Sequence, residues 1–119
     1  MNDSDGIGAY ADAWVQIDPV RRDELLVRAW APDGVYCDPL AVVRGRAALS
    51  EHIAVTHQSL DGGRIEVTAE AVRHHESAFF PWAMVDASGV TVMTGFDVAQ
   101  LDEQGRITRL TGFFDPPAS

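Results

Sequence analysis

The sequence contains no lysine, a single cysteine, Cys37, and no stretch near the roughly 20 consecutive apolar residues that a membrane-crossing helix needs. One thiol cannot close an internal disulfide, so a reducing compartment, the cytoplasm, is the expected location. The opening residues, Met1-Asn2-Asp3-Ser4-Asp5, are acidic and lack the basic-then-apolar order of a secretory leader. Positive charge is scarce, with 9 arginines against 18 acidic side chains and a formal net charge of −9. Such a chain has no basic stripe for a phosphate backbone and is repelled by anionic lipid, so neither nucleic acid nor membrane is an expected partner. Metal-ligand spacing is missing too. His52 and His57 lie five apart, which keeps them off one helix face, and His74-His75-Glu76 falls at an expected hairpin end, where solvated polar residues are ordinary. The glycines form no phosphate-binding pattern. No metal and no organic cofactor are expected.

What is present fits one domain over 1–119, with 46% hydrophobic and 23% charged residues, enough to bury a core without staples. Tyr10, Ala13, Trp14 and Ile17 recur at helical spacing over 9–17. Asp18 and Pro19 are suited to cap and start a second helix, with Val20, Val27 and Trp30 expected on its apolar face. Pro32-Asp33-Gly34 ends it, and Val35 to Asp38 reads as a short strand running into Pro39. A third helix is expected over 46–59, between Gly45 and Gly62-Gly63. From there the period changes to two. Strands are expected over 65–71, 78–85, 90–101 and 106–114, with turns at Asp86-Ala87-Ser88-Gly89 and Asp102-Glu103-Gln104-Gly105. Helices first and then an antiparallel meander mean an α+β fold, because turns this short cannot make parallel crossovers.

Three side chains stand out for chemistry. Asp97 sits in a strand whose faces are both largely apolar, where a carboxylate is costly unless protonated or paired. It either lines a pocket or pairs structurally, for instance with Arg109. Asp38 ends the first strand before Pro39, where it can face a pocket mouth as a general base or simply form an Asp-Pro turn. Tyr10 shares the apolar stripe of Trp14 and Ile17, a position that also suits a core tyrosine. Cys37 should alternate to the face opposite Asp38, with no basic neighbour in sequence to activate it.

The run Trp30-Ala31-Pro32-Asp33-Gly34-Val35, then Asp38-Pro39, Arg44-Gly45-Arg46-Ala47-Ala48-Leu49, Gly95-Phe96-Asp97 and Asp102-Glu103-Gln104-Gly105-Arg106-Ile107, resembles the nuclear transport factor 2-like superfamily. Within it, the chain is similar to the group of polyketide-cyclase-like (SnoaL-like) proteins and ketosteroid isomerases. The resemblance covers nearly the whole chain. It implies a conical cup, with three N-terminal helices packed on a strongly curved, mostly antiparallel sheet around a pocket for a small hydrophobic molecule. In ketosteroid isomerases an Asp-Pro aspartate moves the proton, and a first-helix tyrosine and a protonated late-strand aspartate hold the enolate oxygen. The matching positions are Asp38, Tyr10 and Asp97. The isomerases often back their tyrosine with others, whereas only Tyr36 is available here.

The expected function is therefore an isomerase or cyclase moving a proton beside a carbonyl of a steroid-like or polyketide-like ring. Trp14, Trp82, Met93 and Phe113 are expected against the substrate. The alternatives are a non-catalytic binder of hydrophobic molecules and a dimeric interaction module with a filled cup. Convergence of Tyr10, Asp38 and Asp97 on one cavity separates the first from the others. A homodimer is also expected, with Phe80, Trp82, Val92 and Phe113 as contributors.

Overall fold

The computed structural model describes residues 6–115. Three helices, α1 (Ile7–Val15), α2 (Pro19–Ala29) and α3 (Arg46–Leu60), accompany seven strands. These are β1 (Trp30–Cys37), β2 (Val42–Arg44), β3 (Arg64–Val67), β4 (Val72–His74), β5 (Ser77–Val85), β6 (Thr91–Leu101) and β7 (Ile107–Phe114). The strands form one sheet in the order β2-β1-β7-β6-β5-β3, with β4 also paired to β5. All pairings are antiparallel except β1 with β7. The helices pack on the strongly curled sheet, which makes an α+β cup. Trp30, Tyr10, Phe80, Leu26, Leu49, Ile53, Ile107 and Leu110 fill its core.

Local chemistry accounts for the element ends. Asp18 caps α2 by accepting the Val20 amide at 3.1 Å, with Pro19 at the first helical position. The two long hairpins close on aspartates. Asp86 Oδ1 accepts from the Ser88 and Val90 amides, and Asp102 Oδ1 from those of Gln104 and Arg106. This tight closure makes β5, β6 and β7 a meander.

The structure corrects several expectations. The buried face of α2 is Arg22, Leu26 and Ala29, whereas Val20 and Val27 are exposed. Positions 22, 26 and 29 are one helical stripe, and Arg22 can join it because its guanidinium reaches Ser50 Oγ and the Gln16 carbonyl. Trp30 opens β1 instead of closing α2, and the β1–β7 register is irregular between Trp30 and Val35. The expected strand over 65–71 breaks in two. Pro81 on β5 lies opposite the break and has no N–H to offer, while its carbonyl takes the Thr68 amide. Phe80 and Trp82 are buried and point inward, so they cannot contribute to an outer surface.

Candidate functional site

A cavity of about 200 Å³ opens in the cup, and Tyr10, Asp38 and Asp97 all line it. Each reaches it from a different element. Tyr10 comes from α1, stacked on Trp30 with ring centres 5.7 Å apart and set edge-on to Phe80 at 6.1 Å. Asp97 comes from the inward face of β6, and Asp38 from the first residue beyond β1. Strand β7 runs between these last two. Gly112 on β7 pairs with Asp97, while the parallel β1 partner Cys37 opposite Thr111 brings Asp38 alongside. A Cβ at Gly112 would lie 2.9 Å from Asp97 Oδ1 and 3.5 Å from Asp38 Cβ. Glycine there leaves the two carboxyls a shared space.

Asp38 is fixed at both oxygens. Its Oδ1 accepts the Leu40 and Ala41 amides at 2.8 and 2.9 Å, and its Oδ2 accepts the Tyr36 hydroxyl at 2.5 Å. The turn and the pocket readings of Asp38 are therefore both present in one residue. Tyr36 and Asp38 are two apart on one strand path and so share a face. Burial, then the bond to Asp38, holds the Tyr36 phenol far above its ordinary range.

Asp97 is only 7% exposed and forms no ion pair with Arg109, which is exposed and pairs across the sheet with Gln100. Burial pushes the Asp97 carboxyl up to about 7, the Trp82 side chain opposes this by a hydrogen bond, and the charge of Asp38 adds to the rise. Tyr10 is likewise held well above a normal phenol, first by burial and then by the charge of Asp97, against a hydrogen bond from Trp14. Tyr10 thus keeps its proton throughout the neutral range, and Asp97 keeps its own up to about pH 7.

The rest of the wall is mixed. Leu40, Ile65, Val67, Trp82, Met84 and Phe114 supply apolar surface, and His52, Thr56 and Ser59 supply polar atoms from α3. Trp14 lines the cavity and bridges the rings of Tyr36 and His52, at 6.2 and 6.0 Å. Of the residues expected against substrate, Trp14 and Trp82 are here, and Met93 and Phe113 are not. Met93 lies two residues before Gly95, which pairs with Phe114 at the end of β7, and its β5 partner Met84 lines the cavity in its place. Phe113 alternates to the outer face, where it stacks on Phe96 at 5.3 Å, and Phe114 takes the inward place. Gly95 has a role in this wall, since a Cβ there would meet the Trp82 ring at 2.3 Å.

Sequence reasoning named Tyr36 only as a second tyrosine and His52 only as an unsuitable metal ligand, and placed neither in the cavity. The two-residue offset from Asp38 signalled the first. For the second the signal was the 52, 56, 59 spacing of polar residues along α3. His57 instead bonds the Trp14 carbonyl through Nε2 at 2.7 Å. Among the described residues no group of three His, Cys, Asp or Glu side chains could hold a metal ion, and no helix is long and apolar enough to cross a membrane.

A curled sheet, three helices and the cavity lined by Asp38 and Asp97 define a nuclear transport factor 2-like cup. Residues 7–110 match the SnoaL-like domain, and the chain belongs to that family. It is similar to a candidate isomerase of the SnoaL-like family from Agrobacterium tumefaciens, with 31% identity, a TM-score of 0.86, and 93% of this chain and 95% of that one covered. It also resembles a candidate polyketide cyclase from Sinorhizobium meliloti, with 23% identity, TM-score 0.68, and coverage of 90% and 92%. A cystatin-like-fold protein of unknown function from Methylobium petroleophilum shares 19% identity at TM-score 0.76, with coverage of 96% and 76%. Among curated proteins, none matches the chain.

Proposed function

We propose that the protein is an isomerase or cyclase that moves a proton next to the carbonyl of a polyketide-like or steroid-like ring. The observation that carries this reading is the convergence of Tyr10, Asp38 and Asp97 on one cavity. In the proposed step Asp38 takes a proton from the carbon beside the carbonyl. The C–H electron pair becomes a C=C bond, and the carbonyl π pair moves onto oxygen. Tyr10 and neutral Asp97 donate hydrogen bonds to that oxygen as its charge grows. In an isomerase, where a C=C neighbours the enolate, Asp38 then returns the proton to the far carbon of the dienolate as the carbonyl reforms. In a cyclase the enolate carbon bonds to a second carbonyl carbon as the first carbonyl reforms. The second carbonyl's π pair moves onto its oxygen, which takes the proton back from Asp38. The cavity of about 200 Å³ is smaller than the ~300–1,000 Å³ usual for drug-sized ligands, which favours one or two rings over four.

Non-catalytic binding is the second reading, and one observation favours it. Both Asp38 oxygens already accept hydrogen bonds. Oδ1 accepts two amides and is filled, but Oδ2 accepts only the Tyr36 hydroxyl and keeps a lone pair, so a substrate proton can still be taken there. The two readings separate on hydrogen–deuterium exchange at the carbon beside the carbonyl of tetralone, followed by NMR. The wild type should accelerate exchange, and Asp38→Asn should lower it by about 10²–10⁴-fold. Binding, read from Trp14 and Trp82 fluorescence, should survive. No acceleration by the wild type contradicts the enzyme reading, and equal loss of binding and exchange reduces Asp38 to a turn residue.

The outer sheet face supports a homodimer as the working form. Phe79, Phe96 and Phe113 make a row across β5, β6 and β7, with ring centres 5.0 and 5.3 Å apart, and Phe79 and Phe113 are nearly half exposed. A single cysteine suits the reducing cytoplasm.

A further inference from the structure

The α3 wall of the cavity is polar in a specific sense. His52, Thr56 and Ser59 lie four and three residues apart, so they form one stripe about 10 Å long at 1.5 Å rise per residue. The stripe runs from half-buried His52 and Thr56 to exposed Ser59. The two hydroxyl protons are already committed within the helix. Thr56 Oγ1 donates to the His52 carbonyl at 2.9 Å, and Ser59 Oγ donates to the Thr56 carbonyl at 2.8 Å. What these oxygens still offer the cavity is lone pairs, so they accept and do not donate. The His52 ring is held against Tyr36, with centres 5.0 Å apart, and edge-on to Trp14, and brings its two ring nitrogens to the same edge. Tyr10 and protonated Asp97 are a donor pair in the same cavity. The α3 edge therefore adds acceptor oxygens to the cavity beyond those of Asp38, apart from the Tyr10 and Asp97 donors.

We propose that the His52–Thr56–Ser59 edge of α3 is a recognition strip for ligand hydroxyl groups, so that the ligand is a compact hydroxylated cyclic or aromatic ketone and not a bare hydrocarbon ketone. The inference rests on the reading of the cup as a ligand site. Two acidic residues in the wall and no arginine among its lining residues also fit a neutral ligand. A ligand hydroxyl donates to the strip while its carbonyl oxygen accepts from Tyr10 and Asp97, and the two together fix which ring carbon faces Asp38.

Equilibrium binding of tetralone and of its monohydroxy derivatives at each aromatic ring position tests this. At least one hydroxytetralone should bind the wild type about fivefold tighter than tetralone, the gain of one net hydrogen bond. In the Thr56→Val/Ser59→Ala variant that ratio should fall to about one. His52→Phe keeps a ring against Tyr36 and Trp14 while removing its nitrogens, and it should also reduce the ratio, which gives a reading if the double variant folds poorly. If tetralone binds but no derivative binds better, or the preference persists in the variants, the strip is overturned and the cup remains a ligand site. If no tetralone binds at all, both readings fall.

Discussion

Asp97 owes its character to what surrounds it. Its strand alternation was legible in the sequence, and so was the cost of a carboxylate between apolar neighbours, but not the choice between a pocket and an arginine pair. The register decides it, because Gly112 and not Arg109 stands opposite. Tyr10 and Asp38 were likewise legible as positions. Phe113, offered both for the substrate wall and for the outer surface, lies on the outer one because the β6–β7 register shifts between Gln100 and Leu101, and one residue of slip exchanges inward and outward side chains. A consequence for stability follows from the Asp97 proton. The carboxyl ionises at about 7 in the folded chain against 3.8 for an ordinary aspartate. Between those values the folded chain binds more protons than the unfolded one, so unfolding free energy falls as pH rises through that window. The loss is complete above about pH 7 and amounts to at most about 4 kcal/mol, at ~1.4 kcal/mol for each pH unit. Asparagine carries no such penalty. Urea denaturation should therefore show Asp97→Asn gaining on the wild type between about pH 5 and pH 8 by a few kcal/mol. An unchanged difference across that range would mean that Asp97 is not held neutral by its site.

At the scale of elements, the helices and long hairpins were legible because their signals are local: helical spacing over α1 and α3, the Asp-Pro start of α2, and the aspartate–glycine turns. Elements defined by distant partners were not. The parallel pairing of β1 with β7 joins the two ends of the fold and leaves no mark in either segment. The three-residue β2 and β4 exist only because β1 and β5 template them. The face of α2 was misread for another reason. A buried arginine reads as polar, although its stem packs and its guanidinium is satisfied by Ser50 and Gln16. That β1–β7 pairing also builds the site, since it sets Asp38 beside Gly112 and hence across from Asp97.

At the scale of the whole molecule, the cup separates two apolar surfaces, an inner one around the cavity and an outer one centred on Phe96. If the outer row is a dimer contact, Phe96→Asp should place a charge in it and shift sedimentation at micromolar concentration from dimer to monomer, with the helical circular dichroism signal retained. A wild type that sediments as a stable monomer would contradict it. The inner surface bears the central claim, that the folded cup offers two proton donors to one carbonyl oxygen. The carbon-13 resonance of a carbonyl-labelled tetralone bound in the cup reads this directly. It should lie downfield of its position in water, move back upfield in Tyr10→Phe and in Asp97→Ala, and lose part of its shift as pH rises past about 7, where Asp97 ionises. A bound carbonyl that resonates as it does in hydrocarbon solvent, or that neither substitution moves, would contradict the account.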